Sequence, residues 1–130
     1  MKFSLLVLGS PHSTQSGDSA WQFARAVLAD GHQLYRVFFY HDGIYQGSSL
    51  SVTPQGEIDR VQRWADLATE HNTELVLCIA SAVKRGLLDE TEAHRHDRAS
   101  ASIHPAFTLS GLGQLIDASA VSDRLLTFGN

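Results

Sequence analysis

Residues 75–80, Leu-Val-Leu-Cys-Ile-Ala, form an unbroken apolar segment that strongly constrains the fold of this sequence. A strand with one wet face carries polar residues at alternate positions, whereas a strand covered on both faces is apolar throughout. The segment therefore predicts a central strand of a parallel sheet with helices packed on both sides.

Strand and helix patterns alternate along the 130 residues. Short apolar, β-branched and aromatic runs predict strands at residues 2–8, 34–40, 75–80 and 125–128. Apolar residues at helical spacing predict a helix capped by Asp18 or Ser19 and stopped by Gly31, and further helices at 58–68, 81–86 and 112–119. Residues 43–54 and 87–105 are expected to be loops. We predict one α/β domain over residues 1–130, a flavodoxin-like parallel sheet of about five strands flanked by helices on both faces.

Charge and length exclude several functional classes. The chain has 14 acidic and 10 basic residues, a net charge of -4, and no run of basic residues. Binding to the phosphate backbone of a nucleic acid needs a basic stripe, so we expect no direct nucleic-acid contact. The apolar stretch at residues 3–8 is too short to span a bilayer, which predicts a cytoplasmic protein without a membrane segment.

Cys78 is the one cysteine, so it has no partner within the chain for a disulfide. It lies near the end of the most apolar strand, just before a predicted helix. Unpaired amide groups and the positive end of a helix dipole favour a thiolate at such a position. A thiol that only fills core volume is the alternative, because free cysteine is among the most buried residue types.

Ligands and reaction sites of parallel sheets lie beyond the carboxyl ends of the strands, and several polar side chains are predicted there. His12 and His41 lie in loops at this edge, where each is either solvated or able to act on a nearby thiol. Arg85 follows the short helix after Cys78, where it either caps the helix or attracts an anionic partner. The loop at residues 9–17 lacks the lysine of a phosphate-binding loop, and the histidines of residues 94–104 lack metal-ligand spacing. We expect no metal and no cofactor.

Four motifs resemble the DsrE/TusD family, in the same order and over essentially the whole chain. They are Phe-Phe-Tyr-His-Asp-Gly-Ile at 38–44, Leu-Cys-Ile-Ala at 77–80 with Lys-Arg-Gly-Leu-Leu-Asp-Glu at 84–90, Phe-Thr-Leu-Ser-Gly-Leu-Gly-Gln-Leu at 107–115, and Asp-Arg-Leu-Leu-Thr-Phe at 123–128. The resemblance implies a small α/β sulfurtransferase subunit in which Cys78 carries sulfane sulfur as a persulfide.

The resemblance also implies partners. In the TusD-like branch the subunit joins TusB-like and TusC-like chains in a heterohexamer and passes sulfur from a TusA-like donor to a TusE-like acceptor, for 2-thiouridine (mnm5s2U34) formation in tRNA. In the DsrE-like branch, DsrF-like and DsrH-like subunits and a DsrC-like acceptor serve sulfur oxidation.

A sulfur relay between proteins requires a single thiol, nearby hydrogen-bond donors and an accessible site. A persulfide carrier works best without a resolving cysteine, and this chain has a single thiol. The turn at Ser110 and Gly111 is expected to bring further hydrogen-bond donors beside Cys78. Because the sulfur passes between proteins, we expect Cys78 in a shallow, accessible site. Two other hypotheses stay open: a non-catalytic subunit of the same assembly with a buried Cys78, and a small-ligand module built on the loop at residues 9–17.

Overall fold

Five parallel strands form one sheet with the order β4-β3-β2-β1-β5 in the computed structural model, which describes residues 1–129. The strands are β1 Lys2–Val7, β2 Gln33–Phe39, β3 Glu74–Cys78, β4 Phe107–Ser110 and β5 Arg124–Phe128. The predicted α/β class, the parallel sheet and its strand number are confirmed.

Five α-helices and one 3₁₀ helix connect the strands. They are α1 Ser16–Ala29, the 3₁₀ helix His41–Gly47, α2 Arg60–His71, α3 Ile79–Lys84, α4 Glu90–Arg95 and α5 Gly113–Val121. None of the helices in residues 1–129 combines the length and the apolar character required to cross a membrane.

The face of the sheet under α1 and α2 carries the larger core. Alternate residues of the central strands, such as Leu5, Phe39 and Leu77, point to this side and join a continuous buried cluster with the two helices. Trp64 of α2 is fully buried and meets the ring of Phe39 edge-on, with 5.4 Å between ring centroids. This face therefore holds most of the apolar burial of the domain.

The opposite face is covered by α5 and holds a smaller cluster. Phe38, Val76 and Cys78 are buried there, and the side chains of Leu6, Tyr40 and Leu115 pack against them. Leu115 is the contribution of α5 to this cluster. The predicted covering of the sheet on both faces is thus confirmed, with unequal covers.

Several predicted boundaries are wrong, for local reasons. The second helix begins at Arg60 rather than at residue 58, because Asp59 caps it by accepting a hydrogen bond from the Gln62 amide at 3.0 Å. The first helix begins at Ser16, ahead of the predicted caps Asp18 and Ser19. The segments expected as loops contain the 3₁₀ helix and α4, and residues 107–110 form the edge strand β4, which the sequence pattern did not separate from a loop.

Candidate functional site

Cys78 is both the last residue of β3 and the residue that caps the start of α3. The parallel pairing of β3 with β4 places it opposite Ser110, so Gly111 follows directly at the same edge of the sheet. The structure therefore brings together Cys78, Ser110 and Gly111, as the sequence predicts.

The Cys78 side chain is 2% exposed, and the expectation of a shallow, accessible thiol is wrong for the isolated chain. Side chains alternate along a strand, so Cys78 shares its face with Val76 and points toward the cluster under α5. Leu115 and Tyr40 pack against that cluster. The cluster that contains the thiol is thus covered by side chains from neighbouring elements, Leu6 of β1 among them.

The backbone of His41 is hydrogen-bonded to α3, the helix that follows Cys78. Its amide donates a hydrogen bond of 3.2 Å to the Ser81 hydroxyl in the first turns of α3, and its φ of 50° is in the left-handed region. Its ring is stacked on the ring of Tyr40, with 4.2 Å between centroids and 11° between planes. Because Tyr40 packs against the Cys78 cluster, His41 reaches the site through Tyr40 rather than by a direct contact.

Arg85 fixes the end of α3. Its Nε donates to Asp42 Oδ1 at 2.9 Å, and its Nη1 donates to the Ser81 carbonyl at 3.1 Å. The first bond joins α3 to the start of the 3₁₀ helix, and the second closes the last turn of α3. This arrangement matches the capping role among the two roles considered for Arg85.

His12 lies in a different cleft. Its exposed side chain lines a surface depression of about 440 Å³ with Pro11, Glu57, Ile58 and Arg60. The loop at residues 9–17, considered as a small-ligand cradle, is filled from inside by Gln46, which is 1% exposed and donates to the Gly9 carbonyl at 3.1 Å. A Cβ added at Gly17 would overlap the Gln46 amide. The loop is thereby closed by the protein itself.

A buried arginine attaches α5 to the sheet and was missed by the sequence analysis. Arg36 of β2 is 4% exposed and donates from Nη1 to the Gln114 carbonyl at 2.7 Å and to Asp117 Oδ2 at 2.8 Å, both on α5. Its Nη2 donates to Glu74 Oε2 at 2.8 Å.

Asp117 also accepts a hydrogen bond from Tyr35. The register between β1 and β2 shifts by one residue at Tyr35, and the Tyr35 hydroxyl donates to Asp117 at 2.7 Å. The hydrogen bonds from Tyr35 and Arg36 hold the pKa of Asp117 below its usual value.

Two of the histidines in residues 94–104 have side-chain partners in the protein. His96 pairs with Glu92 at 3.2 Å, and His104 contacts Gln62 Oε1 at 3.1 Å. In the described part of the chain, no three histidine, cysteine, aspartate or glutamate side chains lie close enough together to hold a metal ion.

Known proteins resemble this chain in sequence and in fold. A protein of Allochromatium vinosum with the name "Putative sulfurtransferase DsrE" is 46% identical over 130 residues, which is 100% of both chains. The crystal structure of the YchN protein from E. coli has a TM-score of 0.75 at 21% identity and covers 98% of this chain and 99% of that chain. Residues 1–128 match the model of the DsrE/DsrF-like family. With the motif resemblance confirmed in this way, the chain belongs to the DsrE/DsrF-like family.

Proposed function

We propose that this chain is a sulfur-carrier subunit in which Cys78 accepts sulfane sulfur from a TusA-like donor and passes it to a DsrC-like or TusE-like acceptor. The observation that carries the proposal is the position of the single thiol, at the carboxyl end of a central strand beside Ser110 and Gly111. The family of the chain and the name of its 46% identical relative support the same chemistry.

The reaction is a pair of thiol exchanges. The Cys78 thiolate attacks the outer sulfur of the donor persulfide, the sulfur–sulfur bond of the donor breaks, and the donor thiolate leaves with the electron pair. Cys78 then carries a persulfide. An acceptor thiolate attacks its terminal sulfur, and Cys78 leaves as a thiolate. The terminal sulfur changes partner twice, and no external oxidant or reductant is consumed.

Backbone amides near Cys78 support this chemistry. The first amides of α3 follow Cys78 directly, and in the described residues no side chain caps them. Amide N–H groups that lack a partner in the helix favour negative charge nearby, as on the thiolate or on the terminal sulfur of a persulfide. This contribution is a short-range one, because α3 has only 6 residues.

The name of the relative favours the DsrE-type branch, a subunit of a sulfur-oxidation complex with DsrF-like and DsrH-like partners. The TusD-type role in 2-thiouridine formation, with TusB-like and TusC-like partners in a heterohexamer, uses the same exchange at Cys78 and differs in the acceptor. Persulfidated protein offered either a DsrC-like or a TusE-like acceptor therefore separates the branches. We expect faster discharge to the DsrC-like protein. Both roles place the protein in the cytoplasm.

Burial of the thiol favours a second candidate, a non-catalytic subunit of the same assembly whose partner chain performs the chemistry. The 2% exposure of Cys78 is the observation behind it. In that case, the assembled complex would take up sulfur on another chain and leave Cys78 unmodified.

Intact-mass analysis after incubation with a persulfidated donor protein tests the main proposal. Wild-type protein should gain one sulfur atom, and the Cys78→Ser variant should fold equally well and gain none. A Ser81→Ala variant is the matched control, because it keeps the thiol and removes a hydroxyl from the adjacent helix. A wild-type protein that remains unmodified, alone and in its assembled complex, would refute the proposal.

A further inference from the structure

We infer that α5 is a hinged cover over Cys78, closed by Leu115 and latched to the sheet by Arg36, and that opening of this helix is what exposes the thiol. The inference deepens the proposed function. Only the reason for the opening, which is access to Cys78, rests on that proposal. The closure itself is a property of the isolated chain and can be measured separately.

The covered area on this face of the sheet ends at Cys78. In β3, Val76 and Cys78 are buried. Of their register partners in β4, Thr108 is exposed and Ser110 is half-buried. The boundary of the covered area on this face therefore runs between β3 and β4. On our inference, Cys78 is therefore among the first residues that a displacement of α5 would expose.

The chain path leads from β4 past β3 to the start of α5. Ser110 lies opposite Cys78 in β4, whereas α5 contacts β1, β2 and β5. Since β3 separates β4 from β2, the link through Gly111 and Leu112 leads from the end of β4, past β3, to α5. Leu115, in the first turn of α5, then packs against the Cys78 cluster.

Apolar packing attaches α5 weakly. Ala118 is its one buried residue, and Ile116 is 69% exposed. The helix is attached instead by polar bonds from Arg36 to the Gln114 carbonyl and to Asp117. Segments with few buried apolar contacts are the ones that open locally below the free energy of global unfolding.

Tyr40, a second side chain on the cluster, extends from a backbone that is bonded directly to the sheet. Its amide donates to the Val7 carbonyl at 3.0 Å, and its own carbonyl accepts from the Gly43 amide at 2.9 Å. A backbone bonded on both sides of the residue opposes movement. Opening is therefore assigned to α5 and its latch rather than to Tyr40.

The test is the rate at which iodoacetamide alkylates Cys78 in the native, full-length chain, measured by mass spectrometry over a series of low urea concentrations. In the wild type, we expect slow alkylation whose rate is nearly independent of urea at low concentration, as for local opening. Leu115→Ala should raise that rate by about tenfold, since it removes part of the contact that holds the closed state. Ile116→Ala, the neighbouring exposed position, is the matched control and should leave the rate unchanged.

Asp117→Asn provides a second variant in case Leu115→Ala does not fold, because it weakens the latch without changing an apolar contact. It should also raise the low-urea rate. The inference is overturned if neither variant accelerates alkylation, if Ile116→Ala accelerates it equally, or if the wild-type rate follows global unfolding at every urea concentration. Failure to take up sulfur while these rates behave as expected would refute the proposed function and leave the cover standing.

Discussion

The two faces of the sheet differ in what holds them together. Under α1 and α2, large apolar side chains such as Trp64 and Phe39 form a continuous core. Under α5, a smaller cluster contains the thiol, and the buried guanidinium of Arg36 binds the covering helix. Apolar burial is non-directional and proportional to the apolar area removed from water, whereas the bonds of a charged guanidinium are few and directed. One face therefore supplies most of the apolar burial, and the other contains the thiol to which we assign the proposed chemistry.

Trp64→Ala should have the largest effect on stability. The side chain is fully buried in the larger core, so its removal should lower the free energy of unfolding by about 3–5 kcal/mol. Urea denaturation followed by circular dichroism measures the change. A loss below about 1 kcal/mol would show that the α1 and α2 face does not dominate stability.

Arg36→Met should have an intermediate effect. It removes the bonds that attach α5 while keeping an apolar stem, and its former partners Glu74 and Asp117 are half-exposed and can be hydrated again. We expect a loss of about 2 kcal/mol in the same denaturation experiment. A variant as stable as the wild type would mean that packing, rather than the arginine, holds α5.

Asp18→Asn tests a polar contact on the other face. Asp18 of α1 accepts hydrogen bonds from Arg60 at 2.9 Å and from Arg63 at 2.7 Å, both on α2. Burial raises the pKa of Asp18, but the two guanidinium groups outweigh that effect and leave the pKa below its ordinary value. The carboxylate therefore contributes stability above its unfolded pKa, near 3.9, which is lost as the pH falls through the lower folded pKa.

We expect Asp18→Asn to cost about 1 kcal/mol at neutral pH, with the difference from the wild type disappearing at low pH. Denaturation at a series of pH values measures this. Asp66→Asn, which changes an exposed carboxylate of α2 that accepts from Gln62, is the matched control and should show a smaller effect. A difference between Asp18→Asn and wild type that persists in acid would contradict the assignment.

Arg85→Ala should have the smallest effect. Its pair with Asp42 joins α3 to the 3₁₀ helix at the surface, where such ion pairs contribute about 0.2–1 kcal/mol. Lys84→Ala is the control from the same turn. A loss much larger than this range would show that the junction at α3 is more important for folding than its exposure indicates.

Patterns in the sequence predicted the sheet and its covers because periodicity reports which residues face a core. Residues 75–80 indicate a strand buried on both sides, and that strand is β3 with its continuation into α3. The position of Cys78 opposite Ser110 followed in the same way from the order of the elements and the family motifs.

The degree of burial at the site was not predictable from the same patterns. Leu115 and Ile116 are equally apolar in the sequence, and only the docking of α5 decides that one contacts the Cys78 cluster and the other faces outward. Arg36 and Gln46 are polar residues that normally lie at the surface, and their burial depends on partners distant in the chain. Long-range side-chain partners of this kind leave no local signal.

A single-turnover experiment decides whether sulfur passes through Cys78. Wild-type protein is loaded from a persulfidated donor, separated from it, mixed with an acceptor protein bearing one thiol, and followed by intact mass. We expect the one extra sulfur atom on the Cys78-containing chain to disappear as the acceptor gains it. A chain that stays unmodified, or a sulfur atom that remains on Cys78 of the assembled complex with every acceptor offered, would show that Cys78 is not a sulfur carrier.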